Sequence, residues 1–190
     1  MVRQMGKEHL TEKAIILFRL KGYSATSVDD IVKACGITKG SLYHHFSSKE
    51  ELALAAMGRV HQYFSENIFG LINKAARPGI AELARFNQAV EAFFLEHPAG
   101  CLLANLSLEI GADSQIFKNP IQKFFDDWRA CYAKVFSSVC PSEQAVALAE
   151  DATATVHGCI LMHRIDGNIS PLRRQHQALT AILSSAGLRR

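Results

Sequence analysis

Apolar side chains recur at steps of three and four residues along nearly the whole chain. No segment alternates convincingly as a strand, so an all-α fold is expected. All five prolines, Pro78, Pro98, Pro120, Pro141 and Pro171, lie in the later part of the chain, and each stands where an apolar stripe is about to begin. Proline suits a first helical turn because the N–H it lacks has no partner there, and Asn119 and Ser170 add a capping side chain just ahead of it. Five helices are predicted from these five starts. Their stripes are Ile80, Leu83, Asn87, Val90, Phe94; then Leu103, Leu106, Ile110; then Ile121, Phe124, Trp128, Cys131, Val135. The last two are Ala145, Ala149, Ala152, Val156, Ile160, His163 and Leu172, His176, Leu179, Leu183, Ala186, with Gly187 as the closing cap.

Upstream of Pro78 the helices are shorter and divided by glycine. The first carries Leu10, Ala14, Leu17 and Phe18 on one face and ends at Gly22. Thr26 or Ser27, with Asp29 or Asp30 three residues on, forms a capping box for a second helix that turns Val28, Ile31 and Val32 inward and stops at Gly36. Thr38 opens a third, very short helix through His45. Ser47 or Ser48, with Glu50 or Glu51, opens a long fourth one carrying Leu52, Ala56, Val60, Tyr63, Phe64, Ile68 and Leu71. Helix, glycine turn, helix is a helix-turn-helix pattern. Charge agrees with it: residues 1–50 hold eight Lys or Arg against five Asp or Glu, so the remaining 140 hold 13 of each and all the excess of +3 lies at the start.

The third helix has little to bury apart from Leu42, with Phe46 as its anchor just beyond, and offers hydroxyls and cations instead. Thr38, Lys39 and Ser41 stand at the N-terminal end that a recognition helix turns toward base edges. Lys39 suits guanine O6 and N7, and Gly40 permits close backbone approach. Tyr43, His44 and Lys49 are expected on phosphate oxygens, and the amides near Thr26 and Ser27 on another phosphate. The expected partner is therefore double-stranded DNA.

The balance of 48% hydrophobic and 21% charged residues is that of an ordinary globular chain, and no apolar run approaches the roughly 18–20 residues of a bilayer span. A cytoplasmic protein without a signal sequence is expected. Cys35, Cys101, Cys131, Cys140 and Cys159 are odd in number and lack C-x-x-C spacing, so reduced thiols are expected rather than a disulfide framework.

From Phe18 to Leu54 the chain closely resembles the DNA-binding domain of the TetR (TetR/AcrR) family. The likeness runs through Gly22-Tyr23, Thr26-Ser27-Val28-Asp29-Asp30-Ile31, Ala34-Cys35-Gly36-Ile37, Lys39-Gly40-Ser41-Leu42-Tyr43-His44-His45-Phe46 and Ser48-Lys49-Glu50-Glu51-Leu52. The resemblance implies about nine helices: a helix-turn-helix domain over residues 1–50, helix four over about 48–74 as a connector, and a ligand-binding and dimerisation domain over 51–190. It implies a homodimer on a near-palindromic operator, most often a repressor released by a small ligand, with activation as the alternative. Helices eight and nine are implied to pair, and Ala149, Ala152, Val156, Ile160, His163, Leu172, His176, Leu179 and Leu183 fit that seam.

Gly100-Cys101-Leu102 after His97-Pro98 is similar to a NemR-like subgroup in which a cysteine at the start of helix six senses electrophiles or oxidants. A helix N-terminus lowers a thiol's pKa, and His97 stands nearby in sequence. Against that, a single cysteine is more often a small buried hydrophobe. Phe94, Asn105, Glu109, Trp128 and Tyr132 are candidates to line a ligand pocket, although aromatic stripes at helical spacing are more often core. Cys159 and His163 share a face without a third ligand, so neither metal nor other cofactor is expected. A thiol-dependent enzyme using Cys101 would need an oxyanion hole and an orienting partner, and no segment supplies a motif for them, so no catalysis is expected. A non-specific architectural DNA binder would spread its basic charge more widely.

Overall fold

The computed structural model describes residues 6–110 and 114–187, the side chains of Ala186 and Gly187 excepted. Helices α1 (Lys7–Lys21), α2 (Val28–Cys35) and α3 (Lys39–His45) come first. Helix α4 starts as Lys49–Phe64 and continues without a break through a π-helical turn, Ser65–Phe69, into Gly70–Asn73. Helices α5 (Ile80–Glu96), α6 (Leu102–Ile110), α7 (Gln115–Phe136), α8 (Ser142–Asp166) and α9 (Ser170–Gly187) complete the chain. The described residues are thus nine helices and no strand, as expected for an all-α fold.

The chain divides into two compact units. One holds the residues up to Gln62 together with Cys101–Gln122; the other holds Tyr63–Gly100 and the residues from Lys123 on. This differs from a division at residue 50. The reason is physical: α6 and the first turns of α7 pack on the helix-turn-helix, with Asn105 Nδ2 donating to the Arg19 carbonyl at 3.5 Å and Phe117 edge-on to Tyr23 at 5.4 Å.

In the first unit Leu10, Ala14 and Phe18 of α1 are buried with Ile31, Leu42, Phe46 and Leu52. Helix α2 is capped at both ends. Ser27 N–H donates to Asp30 Oδ2 at 2.9 Å while Asp30 N–H donates to Ser27 Oγ at 3.1 Å. At its other end Gly36, in the left-handed region at φ 65°, donates to Lys33 O, and Ile37 N–H reaches Val32 O at 3.0 Å, a Schellman closure. These caps fix the angle at which the chain enters α3.

The second unit is built around rings. Phe64, Phe69, Phe86, Phe94, Phe124, Trp128 and Tyr132 are fully or almost fully buried, Phe64 packing edge-on to Phe124 at 5.1 Å and Phe86 to Tyr132 at 5.4 Å. Glu82 accepts from Gly79 N–H at 2.9 Å and starts α5, on which Ile80 faces outward.

Two helix starts correct the proline reading. Pro120 lies inside α7, which begins five residues earlier because Phe117 is buried in that extra turn, and Pro98 lies in the link ahead of Gly100 (φ 86°) and not in α6. The π turn adds one residue to a turn of α4 and rotates the residues beyond it, so Phe69 and Ile72 face inward where Leu71 was expected. Tyr63 of the same stripe is exposed. The Ala186 side chain and the residues that would cap α9 after Gly187 lie outside the described residues.

Candidate nucleic-acid interface

Helix α3 is held by few contacts. Leu42 is its one buried side chain, Phe46 closes it with an N–H to Leu42 O at 3.0 Å, and Thr38 Oγ1 caps it by accepting from Ser41 N–H at 3.2 Å. With seven residues and no apolar face beyond Leu42, it stays helical only because its neighbours fix both ends. Thr38, Lys39, Gly40, Ser41, Tyr43 and His44 are all exposed along it, so the hydroxyl and cationic groups expected to meet DNA form one outward surface. Thr38 spends its hydroxyl oxygen on the cap, which leaves the hydroxyl hydrogen as its donor.

Lys39 is not an isolated cation. Its Nζ lies 2.9 Å from Asp29 Oδ2 at the start of α2, and that hydrogen bond holds its pKa above the ordinary lysine value. Ser27 is exposed and shares its hydroxyl with Asp30.

Two expected DNA contacts are otherwise occupied. Thr26, expected to offer an amide to phosphate, is fully buried: its N–H donates to Tyr23 O at 3.2 Å and its hydroxyl to Gly22 O at 2.6 Å. Lys49 turns inward: its ammonium donates to Tyr23 O and Thr26 O, each at 3.1 Å, and sits 4.1 Å from the centre of the Tyr23 ring. The ammonium ties α4 to the α1–α2 turn. Sequence reasoning missed this because the acceptors are backbone carbonyls, which leave no trace in residue type.

The same turn is held from a third side. Ser24 N–H donates to Glu109 Oε2 at 2.9 Å, and the Glu109 carboxylate fills the space beside Gly22, whose backbone lies at φ 86° and ψ 166°. Tyr23 Oη donates to Glu50 Oε1 at 3.0 Å, and its burial together with that carboxylate pushes its pKa up. Asn105 and Glu109, expected in a ligand pocket, therefore spend these polar groups on α1 and the turn after it.

Of the other ligand candidates, Phe94, Trp128 and Tyr132 are fully buried in the aromatic core of the second unit. Neither Trp128 Nε1 nor Tyr132 Oη makes a hydrogen bond of normal geometry among the described residues. Burial pushes the Tyr132 pKa up, against a lowering by the nearby Trp128 side chain. Cys101 is 4% exposed. Burial pushes its thiol pKa up against the amides of Ala104 and Leu103 and the charge of Arg19, which is the opposite of the lowered value expected from its helix start. His97 stacks on Phe93 at 4.3 Å and bonds the Phe93 carbonyl through Nδ1.

The residues expected in the dimer seam, Ala149, Ala152, Val156, Ile160, His163, Leu172, His176, Leu179 and Leu183, are all buried within the single chain. His176 Nδ1 bonds Glu91 Oε1 at 3.0 Å on α5. The most regular apolar stripe packs this unit's own core, so it is not the free face. The free face of α8 lies one step round the helix: Ala154, Gly158, Leu161, Met162 and Ile165 are exposed, and the space beside Gly158 is open. Helix α8 alone among the described helices is long and apolar enough to cross a membrane by length and composition, and its inward stripe is in this core.

A short, end-capped recognition helix presenting cations and hydroxyls after a glycine turn defines a helix-turn-helix DNA-binding regulator. The sequence pattern of "Bacterial regulatory proteins, tetR family" matches residues 10–56, and that of "Transcriptional regulator LmrA/YxaF-like, C-terminal domain" matches residues 81–178. The chain belongs to the TetR family of transcriptional regulators. It is 31% identical to the transcriptional regulator AcuR of Cereibacter sphaeroides over 88% of this chain and 76% of that protein. It is 27% identical to the HTH-type transcriptional repressor DhaR of a Mycobacterium species over 97% and 94%. The reduced form of E. coli NemR superposes with a TM-score of 0.73 at 20% identity, covering 91% of this chain and 94% of that one, a likeness of fold. Regulators of this family bind DNA operators and are typically dimers.

Proposed function

We propose that this protein is a homodimeric repressor that binds a near-palindromic operator and is released from it by a small ligand. The observation that carries the reading is the exposed row Lys39, Gly40, Ser41, Tyr43 and His44 on a helix with one buried side chain, for which burial supplies no other purpose. Lys39 and Ser41 read base edges, while Tyr43 and His44 take phosphates. Thr26 and Lys49 shape the turn that presents them.

The exposed stripe Ala154, Gly158, Leu161, Met162 and Ile165 pairs two copies, because small residues let a second helix approach closely and the larger ones are then covered. Two recognition helices set about 34–36 Å apart meet successive major grooves, so a shift of a few ångströms releases them. The protein acts in the cytoplasm, with the DNA it controls.

The ligand is non-covalent and enters among Phe94, Trp128 and Tyr132, where two polar atoms without a full hydrogen bond, inside a ring cluster, offer it a donor and an acceptor. Release by modification of Cys101 is disfavoured by that thiol's burial and raised pKa. The repressor DhaR supports the sign of regulation by likeness.

Titration of the purified protein with the duplex upstream of its own gene, for wild type, Tyr43→Ala and Lys39→Ala, tests the reading. Tyr43→Ala is expected to weaken operator and random DNA alike, and Lys39→Ala to weaken the operator more. Equal loss on both duplexes for Lys39→Ala would remove its base-reading role.

A further inference from the structure

A groove of about 590 Å³ runs between α5 and α9, both in the second unit, and its volume is that of a small-molecule site. Asn87 and Glu91 line it from α5, and Arg173, His176, Thr180 and Ser184 from α9. Asn87 and His176 are only 4% and 3% exposed, yet Asn87 Oδ1 and His176 Nε2 have no hydrogen-bond partner among the described residues. Buried polar atoms are rarely left so, because each loses its water without a replacement. Phe94, Trp128 and Tyr132 do not line this groove, which is therefore separate from the ring cluster.

The floor of the groove offers acceptors. His176 Nδ1 donates to Glu91 Oε1 at 3.0 Å, so the ring proton is there and Nε2 presents a lone pair. Desolvation lowers the His176 pKa, with Glu91 opposing it, and the ring is neutral near pH 7. The Asn87 amide turns its Nδ2 to the His176 carbonyl at 3.5 Å, which leaves Oδ1 as its free end. Thr180 donates its hydroxyl to His176 O at 2.9 Å and Ser184 donates its own to Thr180 O at 3.3 Å, so each has lone pairs left for a ligand. Donors stand at the rim: Arg173, 53% exposed and held by Glu91 at 3.2 Å, and the exposed amides of Gln88 and Gln177.

We propose that this groove binds a small organic cation of the amine or amidine class, whose N–H groups donate to Asn87 Oδ1 and His176 Nε2 at its floor. Such a ligand gives both orphaned acceptors the hydrogen they lack. Its positive charge is further favoured by the lone pairs of Thr180 and Ser184 and by Glu91, which stands one hydrogen bond behind His176. A carboxylate of the same size brings no hydrogen, leaves both atoms unpaired and sets its charge against their lone pairs. The two acceptors belong to opposite walls, so the occupant ties α5 to α9.

The test titrates full-length wild type, Asn87→Leu and His176→Phe with benzamidine and with benzoate near pH 7, read by NMR of the isotope-labelled protein. The two probes share a ring and differ in charge and in donors. Benzamidine is expected to bind wild type at least tenfold tighter than benzoate, although the chain's net charge of +3 favours the anion, and to shift the His176 ring resonances. Each substitution keeps the approximate shape and removes one acceptor, so each is expected to weaken benzamidine by about tenfold or more, with melting curves confirming the fold. Should a variant not fold, the probe pair on wild type and the residues whose resonances move decide the matter. Benzoate binding as tightly as benzamidine, or a folded variant that keeps full benzamidine affinity, would overturn the proposal. Benzamidine that shifts the Trp128 indole and leaves His176 unmoved would overturn it by placing the cation in the ring cluster. No binding up to about 10 mM would overturn it too and leave the groove to water.

Discussion

Replacing Lys49 by Met separates a structural lysine from a DNA-binding one. Methionine keeps the unbranched stem and removes the ammonium, which donates to Tyr23 O and Thr26 O at 3.1 Å each and lies over the Tyr23 ring at 4.1 Å. Hydrogen bonds to a charged group contribute about 1.5–3 kcal/mol each when buried, and these are only part-buried, so the pair together is worth about 2 kcal/mol. The ring contact adds about 0.5 kcal/mol at such a site. A loss of about 2–3 kcal/mol in a chain of this length lowers the melting midpoint by roughly 5–10 °C. DNA binding well below that midpoint is expected to keep the wild-type salt slope, since no phosphate contact is removed. The assay is thermal melting read by circular dichroism, paired with operator titration over a range of salt. An unchanged midpoint with a salt slope lowered by about 0.9 would refute the reasoning and place the ammonium on a phosphate.

Gly22→Ala forces a side chain into a backbone region open almost only to glycine and against the Glu109 carboxylate, so melting should show a loss of about 1–3 kcal/mol; a neutral variant contradicts the strain. His157 is part-buried, and desolvation depresses its pKa to about 4, so it stays neutral in the fold while the unfolded chain protonates near 6.5. Stability is therefore full above pH 6.5 and falls as pH drops from there toward 4. The loss is about 2 kcal/mol at about pH 5, and denaturant titration of wild type and His157→Phe should show it shrink in the variant. Cys101 should resist iodoacetamide at neutral pH in the folded protein and react on unfolding; rapid labelling of the native state, read by mass spectrometry, would revive a sensing thiol. Ile165→Glu, at a 68% exposed position on the free face of α8, should give monomers by sedimentation with little loss of melting temperature.

What could be read from the sequence was what side-chain type determines. Ser27 with Asp30, Gly36 and Thr38 announced the ends of α2 and α3, and the exposed polar row on α3 came from the lack of anything there to bury. The roles of Thr26 and Lys49 were hidden because their partners are the carbonyls of Gly22, Tyr23 and Thr26, which any residue would supply. Glu109 was hidden for the same reason, its partner being the Ser24 amide, 85 positions away. The stripe expected in the dimer seam, Ala149 to Ile160, is the one the chain buries against itself, and on a helix with two apolar faces residue periodicity does not say which face that is. Pro120 misled because proline is tolerated wherever the lost hydrogen bond is offset, here by the burial of Phe117 in an earlier turn.

The most direct test of the account is binding of the wild-type protein, at one fixed salt concentration, to the duplex upstream of its own gene and to a scrambled duplex of the same length and composition. The account predicts one dimer per site, a footprint over a near-palindrome, and at least a thousandfold preference for the upstream duplex. Equal affinity for the two duplexes would contradict it and leave the exposed row on α3 without the role assigned to it.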